Sequence, residues 1–112
     1  MAIQNERLAR YPFLREMFED SYFPDAQVEQ GKAILVALCE QIEATRPATL
    51  EQLYALTHAA TERFNDLQED FERAGSEIET AARDCIATDF AEIAEAYGFD
   101  ADMEELVATR DW

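Results

Sequence analysis

The chain has 112 residues, of which 25 are acidic and nine are basic, so its formal net charge is −16 at pH 7. This length fits a single domain, residues 1–112, that buries roughly two thirds of its unfolded surface. The charge would repel nucleic-acid phosphates and anionic lipids, which argues against nucleic acid and membrane surfaces as partners. A basic protein, a metal ion or a polyamine would complement it, although solubility or adaptation to a salty cytoplasm explains the charge without any partner.

No stretch of the sequence predicts export or membrane insertion. The longest apolar run, Ala33 to Cys39, is much shorter than the roughly 20 residues that span a bilayer. Residues 1–10 lack the apolar core of a secretory signal. Cys39 and Cys85 fall inside predicted helices, where we expect reduced and buried thiols. Together these features predict a cytoplasmic protein.

The N-terminal part of the chain predicts an arm and a short helix. Residues 1–10 are expected to form an irregular or frayed arm. Pro12 suits the first turn of a short helix, because its missing N–H costs nothing there. Five of the twelve aromatic residues lie between Tyr11 and Phe23, so we expect this segment to cover the helical bundle. The alternative is an exposed aromatic patch that binds a partner.

A long helix follows this covering segment. It is predicted to begin at Asp25, which suits the N-cap, and to end near Thr45, because Pro47 restricts the backbone of the residue before it. Inside this helix Gly31 costs about 1 kcal/mol relative to alanine. We therefore expect another part of the chain to approach the helix closely at Gly31.

Residues 49–99 are predicted to form two long antiparallel helices, around which the rest of the chain is organised. Apolar and small residues recur there at steps of three and four, which keeps them on one helical face. Gly75 and Gly98 are placed for the left-handed position that follows a helix end. Two pairs match the capping box and predict where the helices begin: Thr49 with Gln52, and Ser76 with Glu79.

A short C-terminal helix completes the predicted elements. It is expected to run from Asp100, its N-cap, to about Ala108, with Met103, Leu106 and Val107 facing inward. The sequence therefore predicts an all-α fold, a bundle of three main antiparallel helices with short N- and C-terminal helices packed on it.

Six strings of sequence carry a resemblance. They are YPFL (11–14), YFP (22–24), GKAIL (31–35), LTHAATERFN (56–65), GSEIETAAR (75–83) and AYGF (96–99). Together they resemble a family of small bacterial all-helical proteins catalogued as a domain of unknown function. The resemblance covers Tyr11 to Trp112 and implies a stand-alone bacterial protein, but it implies no activity, cofactor or site residue.

A polar stripe beside the apolar face of the first central helix is a candidate wall of a binding pocket. It contains His58, the only histidine. The alternative to a pocket role for His58 is a structural one, a hydrogen bond to a neighbour or a pair with Glu62. Two residues of the second central helix are further candidates. Helix capping does not account for Asp84, and Arg83 is expected to be buried among carboxylates. The candidate binding residues are Tyr54, His58, Thr61, Asn65, Arg83 and Asp84.

Two acidic ladders with a three-residue spacing offer a metal site as an alternative. They are Asp66, Glu69 and Glu72, and Asp89, Glu92 and Glu95. Glu69 and Glu72 resemble the Glu-x-x-Glu turn of all-helical nucleotide pyrophosphohydrolases, and Asp89 would join them. Both ladders are predicted to lie opposite the apolar stripe, so solvated faces are the favoured interpretation. With one histidine the chain cannot form the paired motif of a di-iron bundle, and we predict no catalytic residue, cofactor or resident metal.

These observations favour an interaction protein over an enzyme. Residues 76–112 carry eleven acids and two bases, and this surface would bind a basic protein in the manner of an immunity protein or antitoxin. One alternative is a small metal-dependent enzyme that resembles nucleotide pyrophosphohydrolases. Another is a structural homodimer that hides the aromatic residues between Tyr11 and Phe23, so the chain is expected to be a monomer or a homodimer.

Overall fold

A computed structural model describes residues 3–112, which form six α-helices and no β-strand. They are α1 (Glu6–Ala9), α2 (Arg15–Glu19), α3 (Asp25–Thr45), α4 (Leu50–Arg73), α5 (Thr80–Ala96) and α6 (Met103–Leu106). The predicted all-α class, with three long helices and short helices at both ends, is confirmed. The most extensive helix contact joins α3 and α4, whereas the sequence placed α4 and α5 at the centre. None of the helices in the described chain has the length and apolar character of a membrane span.

Helix α3 ends at Thr45, as predicted from Pro47. Its N-cap is Pro24, so Asp25 lies in the first turn and does not cap the helix. The predicted close approach at Gly31 is confirmed, because a Cβ atom there would lie 2.9 Å from Cδ1 of Leu14 and 3.1 Å from Cε1 of Phe64. Gly31 thus allows Leu14, the N-cap residue of α2, and Phe64 of α4 to pack against the same point of α3.

Helix α4 has the predicted Thr49 cap at its start and the predicted left-handed glycine after its end. The hydroxyl of Thr49 accepts a hydrogen bond from the Gln52 N–H at 3.2 Å, and the Gln52 side chain accepts one from the Ala48 N–H at 2.6 Å. The returned bond therefore reaches one residue further back than in a capping box. At the other end Gly75 has a φ of 85°, and the Ser76 N–H reaches the Phe71 carbonyl at 2.8 Å, which closes α4 in a Schellman motif.

The predicted start of α5 at Ser76 is wrong. The helix begins four residues later, at Thr80, with Glu79 as its N-cap. The backbone N–H of Ser76 bonds to the end of α4, and Ile78 is buried in the core, so residues 76–79 form a connection outside both helices. The other end of α5 agrees with the prediction, because Gly98 has a φ of 85° and the Phe99 N–H bonds to the Ala94 carbonyl at 2.9 Å.

The N-terminal segment is more ordered than predicted. Residues 1–2 lie outside the described chain, but residues 6–9 form α1, which Asn5 caps through the Leu8 N–H. Leu8 itself is buried. In the aromatic segment Phe13 and Phe23 are buried, whereas Tyr22 is 42% exposed.

The C-terminal helix is shorter than predicted. It spans Met103–Leu106 and is capped by Asp102, not by Asp100. Leu106 is buried as expected, but Met103 is 42% exposed, contrary to the prediction. Beyond α6, Trp112 packs edge-on against Phe64, with 6.3 Å between ring centroids.

Candidate functional site

The predicted polar stripe of α4 lies against the C-terminal segment, residues 100–112. Asn65 makes the most specific contact, because its side-chain amide donates to one backbone carbonyl and accepts from one backbone N–H. Its Nδ2 donates to the Thr109 carbonyl at 3.1 Å, and its Oδ1 accepts from the Asp111 N–H at 3.0 Å. This pair of bonds fixes the register of the segment on α4.

The other members of the stripe contact the same segment. The Tyr54 hydroxyl accepts from the Asp102 N–H at 3.2 Å. His58 Nε2 lies 2.7 Å from the Glu105 carbonyl; since a carbonyl only accepts, Nε2 must carry the hydrogen. Thr61 is fully buried and lies within 3.4 Å of the Leu106 carbonyl. The four stripe residues thus come together, and the chain's own C-terminal segment occupies the space that they face.

The acidic side chains of this segment are exposed to solvent. Arg110 lies 3.6 Å from Glu104 and also sits over the Trp112 ring, 5.6 Å from its centroid. The stripe therefore binds the backbone of the segment and leaves its carboxylates in solvent. The exposed acidic residues are Asp100, Asp102, Glu104, Glu105 and Asp111.

Arg83 and Asp84 do not join the stripe. Both are exposed on α5, so the predicted burial of Arg83 among carboxylates is wrong. Ala82 and Cys85 take the inward positions of this turn, which turns the two residues between them toward solvent. Among residues 3–112 neither Arg83 nor Asp84 makes a polar contact with the stripe.

The sequence interpretation missed a buried carboxylate, Asp89. It is only 4% exposed, so its predicted position on a solvated face is wrong. Its Oδ1 accepts from the Tyr11 hydroxyl at 2.8 Å, and its Oδ2 accepts from the Leu14 N–H at 2.7 Å. Leu14 has a φ of 56°, an unfavourable left-handed backbone that this bond helps to hold.

Burial raises the pKa of Asp89, and the hydrogen bonds from Leu14 and Tyr11 only partly offset this effect. A cleft of about 290 Å³ borders the carboxylate and is also lined by Asp84 and Cys85. The position of Asp89 in the sequence indicated its burial, since it follows the core residue Ile86 by three positions and so lies on the same face of α5.

Both cysteines are buried, as predicted. Burial raises the pKa of the Cys85 thiol to about 11 and that of Cys39 to about 12. The thiols therefore stay protonated at neutral pH, whereas the thiolate is the nucleophilic form.

The residues of the alternative metal site do not come together. Glu69 and Glu72 are exposed on α4, whereas Asp89 is buried on α5 against Tyr11. Within residues 3–112 no group of three or more His, Cys, Asp or Glu side chains is placed to hold a metal ion.

Comparison with family models matches residues 7–112 to DUF5713, a family of unknown function. The match covers most of the chain, so this protein belongs to that family, and the resemblance seen in the sequence is confirmed. Comparisons with curated proteins and with solved structures gave no match.

Proposed function

We propose that this member of the family is an interaction module that binds a basic protein through its acidic C-terminal part. An immunity- or antitoxin-like protein that neutralises a basic toxin is one concrete form of this function. One observation carries the proposal. Of the eleven acidic residues in 76–112, nine are exposed, and the same stretch has only two arginines, Arg83 and Arg110.

The way in which the C-terminal segment is held supports this function. Backbone bonds to Tyr54, His58 and Asn65 fix the segment before any partner arrives. A surface ordered in advance loses less conformational entropy on binding. Clustered charge of one sign also steers a partner of opposite charge and speeds association.

The test is affinity capture with the full chain from its host, at about 50 mM and at about 500 mM salt, which screens exposed charges. We expect a basic protein to be retained at low salt and released at high salt. A test variant neutralises four exposed acids of the segment: Asp100→Asn, Glu104→Gln, Glu105→Gln and Asp111→Asn.

A matched control neutralises four exposed acids elsewhere: Asp25→Asn, Glu29→Gln, Glu51→Gln and Glu72→Gln. The two variants have the same net charge and differ only in where the charge is lost. We expect the control to keep the partner and the test variant to lose it. Equal loss in both would mean that overall charge, and not this surface, attracts the protein; retention by both would refute the proposal.

We further propose that α3, α4 and α5 pack as an antiparallel bundle in a bacterial cytoplasmic protein. The short connections 46–49 and 74–79 favour antiparallel neighbours. Nuclear Overhauser contacts between the start of one long helix and the end of the next would support the arrangement, and contacts between equivalent ends would contradict it. Recovery in the membrane or extracellular fraction would contradict the location.

A further inference from the structure

A cavity of about 500 Å³ lies where the N-terminal residues meet the ends of α3 and α5. This volume falls within the range of sites that bind small molecules, which are mostly apolar with a few placed polar groups. Neither the acidic segment nor the polar stripe contributes to it. Its lining includes Asn5, Ile42, Glu43, Arg46, Tyr97 and Phe99.

Glu43 supplies a fixed negative charge. Its carboxylate accepts hydrogen bonds from the backbone N–H groups of Gln4 at 2.8 Å and Asn5 at 3.0 Å, and from the Tyr97 hydroxyl. Burial opposes ionisation, but these three donors outweigh it and lower the pKa of Glu43. Glu43 is therefore ionised at neutral pH. Among the described residues its Oε2 accepts three hydrogen bonds and its Oε1 only one, so Oε1 has the capacity to accept another.

Arg46 supplies a positive charge at the same cavity. It follows α3 directly and has a φ of 49°, a conformation that non-glycine residues rarely adopt and that occurs often at functional sites. Within residues 3–112 its side chain makes no ion pair or hydrogen bond. Glu43, one helical turn earlier, does not pair with it, because the Glu43 oxygens face the N-terminal backbone and Tyr97.

We infer that this cavity binds a small zwitterion with an apolar body, namely an α-amino acid with an aliphatic or aromatic side chain. The ammonium group would contact Glu43 and the carboxylate would contact Arg46. Glu43 and Arg46 both line this cavity, so the two charges of one small ligand can be met by the same site. The apolar body would lie against Ile42 and Phe99.

The charges of the chain favour a zwitterion over a simple ion. A carboxylate without an ammonium group would be repelled by Glu43 and by the net charge of −16. An amine without a carboxylate would leave Arg46 unpaired beside it. A ligand with no net charge also escapes the salt dependence expected for a basic protein partner, so this inference does not rest on the proposed function.

The test is isothermal titration of the full chain with L-phenylalanine and L-leucine. Two analogues, 3-phenylpropionate and 2-phenylethylamine, keep the ring but lack one charge each. We expect saturable binding of the amino acids and affinities about tenfold weaker for both analogues, since each loses a charge-assisted contact. No binding of either amino acid, or equal affinity for 3-phenylpropionate, would overturn the inference.

Variants separate the charge of Arg46 from its backbone. Arg46→Gly suits the left-handed conformation and should fold at least as well as the original chain, yet we expect about tenfold weaker binding of L-phenylalanine. Arg46→Lys keeps the charge and should restore most of the affinity. The matched control, Arg83→Gln, removes an exposed arginine of α5 and should leave binding unchanged. Unchanged binding by Arg46→Gly, or an equal loss in Arg83→Gln, would contradict the assigned site.

Discussion

Replacing Gly31 by alanine tests the closest contact in the core. On a helix this change normally stabilises, by about 1 kcal/mol, because alanine has the higher helix propensity. Here the new Cβ would lie 2.9 Å from Leu14 Cδ1 and 3.1 Å from Phe64 Cε1. Real Cβ atoms essentially never come within 3.0 Å of another atom, so Leu14 must move, and Phe64 must shift by a few tenths of an ångström.

Neither neighbour moves freely. Leu14 and Phe64 are each 1% exposed, and the backbone of Leu14 is tied to Asp89. Forcing a methyl group into a packed core costs about 1–3 kcal/mol. Subtracting the propensity gain of about 1 kcal/mol, we expect Gly31→Ala to lower the free energy of unfolding by about 1 kcal/mol. For a domain of this size that corresponds to a Tm lower by about 4 °C.

Urea unfolding followed by circular dichroism measures this change, and a double-mutant cycle identifies its cause. Leu14→Ala alone should cost about 2–5 kcal/mol, because it leaves a cavity. In the Leu14→Ala background the methyl group at position 31 enters vacated space, so Gly31→Ala should no longer destabilise. We expect a coupling energy of about 1–2 kcal/mol between the two changes. Stabilisation by Gly31→Ala in the original chain, or additive effects, would refute the reasoning.

Three further predictions concern polar contacts. Asp89→Asn should keep both hydrogen bonds and stay close to the original Tm, since an amide can accept from Leu14 and donate to the Tyr11 oxygen. Asp89→Ala should lower the free energy of unfolding by about 2–4 kcal/mol, because it leaves two donors unpaired. Equal Tm values for the two variants would contradict the observed geometry. The two carboxylates with shifted pKa values should give opposite pH dependence in denaturant melts of single variants. The folded pKa of Asp89 is raised above 3.8. Its contribution to stability is therefore complete below pH 3.8 and is lost as the pH rises through the folded pKa. Over that range Asp89→Asn should become more stable relative to the original chain. The folded pKa of Glu43 is lowered from 4.5, so its stabilising effect is present above that pH and lost below it; a Glu43→Gln variant whose loss of stability grows toward low pH would contradict this. Finally, Asn65→Ala should speed amide hydrogen exchange at Asp111 about tenfold with little change in Tm, since it removes about 1–2 kcal/mol of local bonding; unchanged exchange there would show that Asn65 does not hold the segment.

Sequence periodicity predicted the long helices because their cores are built from regular apolar spacing. The buried residues of α4 follow three- and four-residue steps from Leu53 to Phe71, and Pro47 correctly marked the end of α3. Ser76 and Glu79 match a capping box in residue type and spacing, but the Ser76 N–H bonds to the Phe71 carbonyl at the end of α4. This bond follows from the left-handed Gly75 that the sequence also predicted.

The candidate site was harder to predict because it depends on contacts between distant residues. The four stripe side chains contact one segment of the chain, and that segment is distant in sequence, because Asn65 bonds to Thr109, 44 residues later. The three-residue spacing of Asp89 to Glu92 and Glu95 is typical of a solvated ladder, whereas the same spacing to the core residue Ile86 favours burial. The true partners of Asp89, Tyr11 and Leu14, come from 78 and 75 residues earlier in the chain.

Native mass spectrometry of the untagged protein, purified from its host at low salt, tests the central claim most directly. The acidic C-terminal part predicts a complex in which one copy of the chain is joined by a basic protein, and this second mass should disappear when the salt concentration rises to about 500 mM. A bare single chain under low-salt conditions, or a partner that is itself acidic, would contradict the claim.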